Sequence, residues 1–177
     1  MKDAATIDDY GTLSAPETLT IQRLLPGPIE RVWSWLTQSD LRAKWLASGD
    51  MPMTAGAPFS LTWRNNELTD PPGTRPEGMS GEHTAACRVI EADPPNRLRY
   101  DWTGVGEVTF ELQSVGEKVL LTLTHSGIPD RGTLLGVSAG WHAHLDLMAA
   151  RLEGTAPKPH WDNYTALRAD YVKRLAL

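Results

Sequence analysis

The sequence predicts an α+β fold in which a curved antiparallel sheet of about six strands packs against a long C-terminal helix. Apolar residues recur late in the chain at the i, i+4, i+7 and i+11 spacing of one helical face, at Trp141, Leu145, Met148 and Leu152. Most of the chain before them alternates between apolar and polar residues, as half-buried strands do. Because an amphipathic helix must bury its apolar stripe, we expect it to lie across the sheet that these strands form.

The helix and the segments at both ends of the chain have recognisable limits. Gly154 follows the last periodic residue, where a left-handed residue ends a helix. Tyr164, Leu167, Tyr171 and Leu175 predict a final helix after a proline-containing connector. Residues 1–16 show no periodicity and are predicted to be a flexible arm, whereas residues 17–177 form a single domain of ordinary size.

The predicted order of elements is one strand, two short helices, five strands and two helices. The first strand covers about 17–25 and ends at Pro26, and the helix pair carries apolar residues at Ile29, Val32, Leu36 and Trp45. The later strands cover about 58–64, 80–91, 97–102, 108–112 and 119–125. Residues 65–79 are rich in Asn, Asp, Pro and Gly and predict a long loop, which is often a functional lid or rim.

Composition and charge limit the classes of partner. The net charge is −5 and no run of Lys or Arg is present, which argues against nucleic acid. No apolar run approaches the roughly 20 residues that span a bilayer, and residues 1–10 lack the apolar core of a signal peptide, so we expect no membrane partner. Cys87 is the one cysteine, and a reducing cytoplasm is the expected location.

Tryptophan is unusually frequent, with seven residues against two phenylalanines. Each Trp buries a large ring and brings an N–H donor that needs a partner. Two interpretations stay open: the rings fill the core, or they line an aromatic cavity.

Histidines are the other candidate site residues. His83 and His125 fall on the apolar faces of their strands, where they would contact a ligand, act as acid or base, or bond to a neighbouring group. His142 and Asp146 lie one helical turn apart, and we expect them to bond each other or anchor the helix rather than bind metal, because no further ligands cluster with them. His144 is placed to turn toward a cavity beside Trp141.

Three sequence strings, in this order and with this topology, resemble the START-like (SRPBCC) superfamily: PIERVW at 28–33, DPPNRL at 93–98 and GWHAHLD at 140–146. Within it, the chain resembles the branch related to the activator of the heat-shock protein 90 ATPase. The resemblance implies the helix-grip fold and a hydrophobic cavity, but no single activity, since members include carriers, cyclases, regulators and co-chaperones. Eukaryotic activators carry an additional N-terminal domain that residues 1–16 cannot supply, so direct stimulation of the chaperone is not expected.

We therefore predict a binding protein for a small apolar or aromatic molecule, held between the sheet and the long helix without a cofactor, a metal or a catalytic residue. The alternatives are a protein-interaction module resembling a co-chaperone, with an exposed patch on the outer face of the sheet, and a cyclase or hydratase that uses His83 or His125. Either a monomer or a homodimer fits. The expected lining consists of Phe59, Trp63, His83, Tyr100, Trp102, Phe110, Leu121, His125, Trp141, His144 and Met148.

Overall fold

An antiparallel sheet of seven strands and four helices make up the part of the chain that the structure, a computed structural model, describes (residues 7–175). The helices are α1 (Ile29–Thr37), α2 (Ser39–Arg42), α3 (Arg131–Glu153) and α4 (His160–Leu175), and Asn65–Glu67 form a 3₁₀ turn. The strands are β1 (Thr12–Ala15), β2 (Thr18–Pro26), β3 (Pro58–Arg64), β4 (Glu82–Asp93), β5 (Arg97–Trp102), β6 (Gly106–Val115) and β7 (Lys118–Ser126).

The strand order β1-β2-β7-β6-β5-β4-β3 places the chain's early and late strands side by side. The two short helices carry the chain from β2 to the opposite edge, so β2 pairs with β7, in the register Leu19↔His125, and not with β3. Every neighbouring pair is antiparallel, and the curved sheet stays open at β1 and β3. This architecture confirms the predicted α+β helix-grip fold, with one strand more than the six expected from the sequence.

Helix α3 is buried on two sides, which the sequence pattern did not reveal. Trp141, Leu145 and Met148 belong to the core formed with the sheet, as predicted. The opposite side, which includes Leu135, Ala139 and Ala143, packs against Trp161, Tyr164, Leu167 and Tyr171 of α4. The final helix is therefore a third layer, and α3 lies between it and the sheet.

Both ends of α3 follow simple capping chemistry. Asp130 precedes the helix and its carboxylate accepts a hydrogen bond from the Thr133 amide at 2.8 Å. Gly154 adopts φ 73° after the last helical residue, and its N–H donates to the carbonyl of Ala150. This left-handed position confirms the predicted end of the helix.

Part of the N-terminal segment, for which the sequence predicted no strand, adds a strand to the sheet. Thr12–Ala15 pair with β2, with Leu13 opposite Leu19, because β2 would otherwise present unpaired backbone groups. Just before the strand, the Gly11 amide donates to the Tyr171 hydroxyl at 2.7 Å. Four residues are too few for a recognisable alternation, so this strand could not be predicted from periodicity. Residues 1–6 of the predicted arm lie outside the described residues.

No helix among the described residues is long and apolar enough to cross a membrane.

A buried arginine holds together the segment between α1 and β3. Arg42 is 1% exposed, and its guanidinium meets backbone carbonyl groups only. Nε donates to Ala47 at 3.1 Å, Nη1 donates to Leu36 and Thr37 at 3.2 and 3.1 Å, and Nη2 donates to Gly49. Carbonyls at the end of α1, which have no partner within the helix, thereby become satisfied.

Gly49 is predicted to be irreplaceable in this segment. Its φ is 137°, and a Cβ atom would lie 1.9 Å from the backbone oxygen of Ser60 in β3. Gly49→Ala should lower the free energy of unfolding by about 3 kcal/mol, because backbone must move to relieve the clash. Chemical denaturation of purified protein measures this quantity.

Gly56→Ala is the matched control. Gly56 also has positive φ (88°), but a Cβ atom there meets nothing within 4 Å. Its loss should be limited to about 1 kcal/mol of backbone strain. Equal losses in the two variants would contradict the clash as the cause.

Candidate functional site

A cavity of about 400 Å³ opens where β3, β4 and β5 meet the first half of α3 and the start of α4. We call it the aromatic cavity, because indole, phenol and imidazole rings supply much of its wall. Its lining residues are Leu46, Trp63, Asn65, Met79, Ser80, His83, Trp102, Val105, Thr133, Gly136, Val137, Gly140, Trp141, His144, His160, Trp161 and Tyr164.

Two glycines on α3 leave the space unfilled. Gly136 and Gly140 are one helical turn apart and therefore share a face, which lines the cavity. A Cβ atom at Gly140 would meet no atom within 4 Å, and one at Gly136 would meet only the Tyr164 hydroxyl, at 4.0 Å. The helix thus presents bare backbone to the cavity at the level where a side chain would close it.

The sheet side of the aromatic cavity is a set of packed rings. Trp63 and Trp102 stack with their centroids 5.1 Å apart and an interplanar angle of 21°. The rings of Trp102 and Trp141, the latter on α3, are nearly perpendicular, with their centroids 6.4 Å apart. The ring of the exposed His83 has its centroid 5.8 Å from that of Trp63. Planar apolar faces and ring edges are the surfaces that aromatic molecules pack against.

The structure places five of the predicted lining residues at the cavity: Trp63, His83, Trp102, Trp141 and His144. The others, which were expected there, lie outside the cavity's lining and fill the core between the sheet and α3. Alternation identifies which face of a strand is buried, but it does not show how deep the residue sits or whether the facing layer fills the space. These core residues are Phe59, Tyr100, Phe110, Leu121, His125 and Met148.

His125 is a structural histidine. The Val105 carbonyl accepts from Nε2 at 3.0 Å, so Nε2 carries the proton. Nδ1 therefore accepts from the indole N–H of Trp141, also at 3.0 Å. Burial lowers the pKa of this imidazole, which keeps it neutral. With both nitrogens engaged, His125 orients Trp141 and has no nitrogen left for a ligand.

Several lining residues were missed in the sequence. Gly136 and Gly140 did carry a signal, because two glycines four apart on one face of a predicted helix mark a missing patch of side chains. Trp161 and Tyr164 reach the cavity only because α4 folds back over α3. Asn65 and Met79 come from the predicted loop at 65–79 and Ser80 follows it, and all three contribute to the wall.

The first residues of α4 are hydrogen-bonded to the 65–81 loop. Its first backbone amide, that of His160, donates to Thr69 Oγ1 at 2.9 Å, and the Trp161 amide donates to the Pro72 carbonyl at 3.0 Å. The Trp161 indole N–H donates to Asn66 Oδ1 at 2.7 Å. The helix and the loop therefore form one wall of the aromatic cavity.

A pair of buried imidazoles lies between α3 and α4. His144 and His160 have ring centroids 4.7 Å apart and are 6% and 1% exposed. Burial lowers the pKa of His144 to about 4. Burial and the neighbouring His144 lower the pKa of His160 to about 2. Both rings are therefore neutral near pH 7.

His142 and Asp146 anchor α3 away from the aromatic cavity. Asp146 accepts from Arg23 on β2 and from Asn163 on α4, both at 3.0 Å. His142 Nδ1 lies 2.9 Å from the Tyr171 hydroxyl, and its Nε2 lies 3.7 Å from the Asp146 carboxylate. Within residues 7–175, no three His, Cys, Asp or Glu side chains are arranged to hold a metal ion.

Acid is predicted to destabilise the protein through these histidines. The folded-state pKa values of His144 and His160, about 4 and about 2, lie below the value of roughly 6.5 expected when unfolded. The unfolded chain therefore binds more protons below pH 6.5. The free energy of unfolding should be highest above that pH and should fall toward pH 4 by about 1.4 kcal/mol per pH unit for each histidine.

Denaturant titrations at a series of pH values measure this slope, and His160→Phe is the comparison. Removing one imidazole should reduce the slope of the unfolding free energy between pH 6 and 4.5 by about 1.4 kcal/mol per pH unit, which corresponds to one proton fewer taken up on unfolding. An unchanged slope would mean that His160 is not buried in its neutral form.

Several proteins of known structure are similar to this chain. A protein from Bordetella parapertussis, solved by NMR, is 38% identical over 99% of this chain and 96% of its own, with a TM-score of 0.79. CalU16 from Micromonospora echinospora is 20% identical, covering 90% of this chain and 88% of its own, with a TM-score of 0.66. An Aha1 dimer from Colwellia psychrerythraea is 16% identical, covering 77% and 96%, with a TM-score of 0.56.

A search of curated proteins gives no match. The family model described as "Activator of Hsp90 ATPase homolog 1-like protein" matches residues 26–153, from the end of β2 to the end of α3. This range holds the three strings on which the resemblance was based. The chain therefore belongs to the activator of Hsp90 ATPase homolog 1-like family, within the START-like (SRPBCC) superfamily.

Proposed function

We propose that this protein binds a small hydrophobic or aromatic molecule in the aromatic cavity. The observation that carries the proposal is an unfilled volume of about 400 Å³. Gly136 and Gly140 line it on the helix side, and stacked and edge-on aromatic rings line it on the sheet side. That volume falls within the range of roughly 300–1,000 Å³ found for ligand sites. Members of this fold often bind hydrophobic ligands, which agrees with the proposal.

The chemistry of the wall favours an uncharged ligand. No Lys or Arg of the described chain lines the aromatic cavity, and its histidines other than His83 are buried and neutral near pH 7. A carboxylate or phosphate would lose its hydration there without gaining a cationic partner. A planar apolar molecule would instead exchange water for contact with Trp63, Trp102 and Trp161.

A protein-interaction role would need an exposed patch, and the described residues offer little to build one. Met53, Val115 and Val172 are the large apolar side chains exposed there, and they lie on three different segments. Charges on the outer face of the sheet are largely paired, as Arg97 is with Glu91 at 2.9 Å. Catalysis by His125 is disfavoured because both of its nitrogens are engaged.

Assembly and location are part of the same proposal. We expect a monomer or homodimer, for which the Aha1 dimer provides a precedent at the level of the fold. We also expect a cytoplasmic protein.

Burial raises the pKa of the Cys87 thiol to about 12, so this residue acts as a small apolar side chain in the core.

Filling the aromatic cavity from α3 tests the proposal. Gly140→Leu should project its side chain into the open space without strain, and it should favour the helix by up to about 1 kcal/mol. We expect naphthalene to bind the wild type and to bind this variant at least about tenfold more weakly. Quenching of tryptophan fluorescence and isothermal titration calorimetry measure the two affinities.

Gly132→Leu is the matched control. Gly132 is an exposed glycine in the first turn of the same helix and does not line the aromatic cavity. This variant should bind naphthalene as the wild type does. The proposal is wrong if naphthalene does not bind the wild type, or if a folded Gly140→Leu protein binds it with undiminished affinity.

A further inference from the structure

We propose that His144 and His160 form the polar recognition point of the aromatic cavity and select aromatic ligands that carry a hydroxyl group. This inference rests on the proposed function, because it names the chemical class of ligand for the same site. It follows from the hydrogen-bonding capacity that the cavity-lining residues leave unused.

The tautomer of His144 is fixed by a backbone carbonyl. Nδ1 lies 2.8 Å from the carbonyl oxygen of Trp45, which can only accept, so Nδ1 carries the proton. In a neutral ring, Nε2 then holds a lone pair. No hydrogen bond to Nε2 forms within residues 7–175, and His144 lines the aromatic cavity. The ring therefore offers an acceptor.

His160 also has a ring nitrogen that forms no hydrogen bond with the described residues. The residue is 1% exposed, yet its Nδ1 has no hydrogen-bond partner among the described residues. A buried polar atom without a partner costs free energy, and a ligand that supplies the partner recovers it. The ring lies beside His144, with the centroids 4.7 Å apart.

A third unused group is also an acceptor. Asn65 Oδ1, on the loop side of the aromatic cavity, is buried and has no partner in the described part of the chain. By contrast, the indole N–H groups of Trp141 and Trp161 are already bonded, to His125 and Asn66. The lining thus offers acceptors, at His144 and Asn65, that a donating ligand would satisfy.

A hydroxyl group on an aromatic ring meets these requirements. It can donate its O–H to His144 Nε2 or Asn65 Oδ1 and accept an N–H from His160, since a neutral imidazole holds one donor and one acceptor. Its ring would pack against the tryptophans. An ether of the same shape lacks the proton, and a carboxylate meets lone pairs at His144 and Asn65.

Three probes of similar size separate these possibilities: 2-naphthol, which donates a hydrogen bond, 2-methoxynaphthalene, which only accepts, and 2-naphthoate, which is anionic. At pH 7 we expect the wild type to bind 2-naphthol about tenfold more tightly than the ether, and 2-naphthoate most weakly. Isothermal titration calorimetry, with naphthalene as the reference ligand, measures all four affinities.

His144→Phe removes the acceptor and His160→Phe removes the N–H donor, while each variant keeps a ring at its position. In the His144→Phe variant the ratio of the 2-naphthol affinity to the 2-methoxynaphthalene affinity should fall toward one, and in the His160→Phe variant both affinities should fall relative to that for naphthalene. Circular dichroism checks that the variants fold. Histidine side-chain ¹⁵N resonances of the wild type give a second readout that needs no variant, and 2-naphthol should shift them more than 2-methoxynaphthalene does.

The outcomes distinguish this inference from the proposed function. If naphthalene binds but 2-naphthol and 2-methoxynaphthalene bind equally, or if 2-naphthoate is preferred, the inference is overturned while the binding function stands. A preference that persists in the folded His144→Phe variant, or histidine resonances that respond equally to the two probes, also overturns it. If none of the probes binds, both proposals fail.

Discussion

The burial of α3 on two sides is the constraint on which the rest of the structure depends. The middle of a helix between two layers has little contact with water, so its charged and imidazole side chains need partners within the protein. Asp146 is satisfied by β2 and α4 together, His142 by α4, and His144 by a backbone carbonyl beyond α2. These bonds fix the position of α3 relative to both layers, and they require α4 to be in place.

The same arrangement explains why the aromatic cavity stays open beside α3. Over most of its length α3 meets the sheet through large side chains such as Phe110, whose ring lies 5.7 Å from that of Trp141. At Gly136 and Gly140 the helix has no side chain to offer. Rings held by their own contacts and hydrogen bonds, such as Trp141 on His125, are not free to collapse into the space.

Membership of the family establishes the fold but not the activity, because one fold supports many functions. Evidence about function has to come from the cavity itself. Its aromatic wall, its neutral imidazoles and its unpartnered acceptors are properties of these side chains in this arrangement. They are the observations that support the proposal of an uncharged aromatic ligand.

The sequence by itself determined the secondary structure of most of the chain, the α+β class and the side of each strand that faces the core. These features depend on local periodicity, which neighbouring residues record, and the helix-ending Gly154 and the strand Arg97–Trp102 were predicted as they occur. Only the tertiary structure decided which inward residues border open space. Phe59 and Trp63 lie four residues apart on the same face of β3, yet Trp63 lines the cavity and Phe59 fills the core. That difference depends on what lies opposite each residue, namely α4, the 65–81 loop and two glycines distant in the chain, and local periodicity carries no information about those partners.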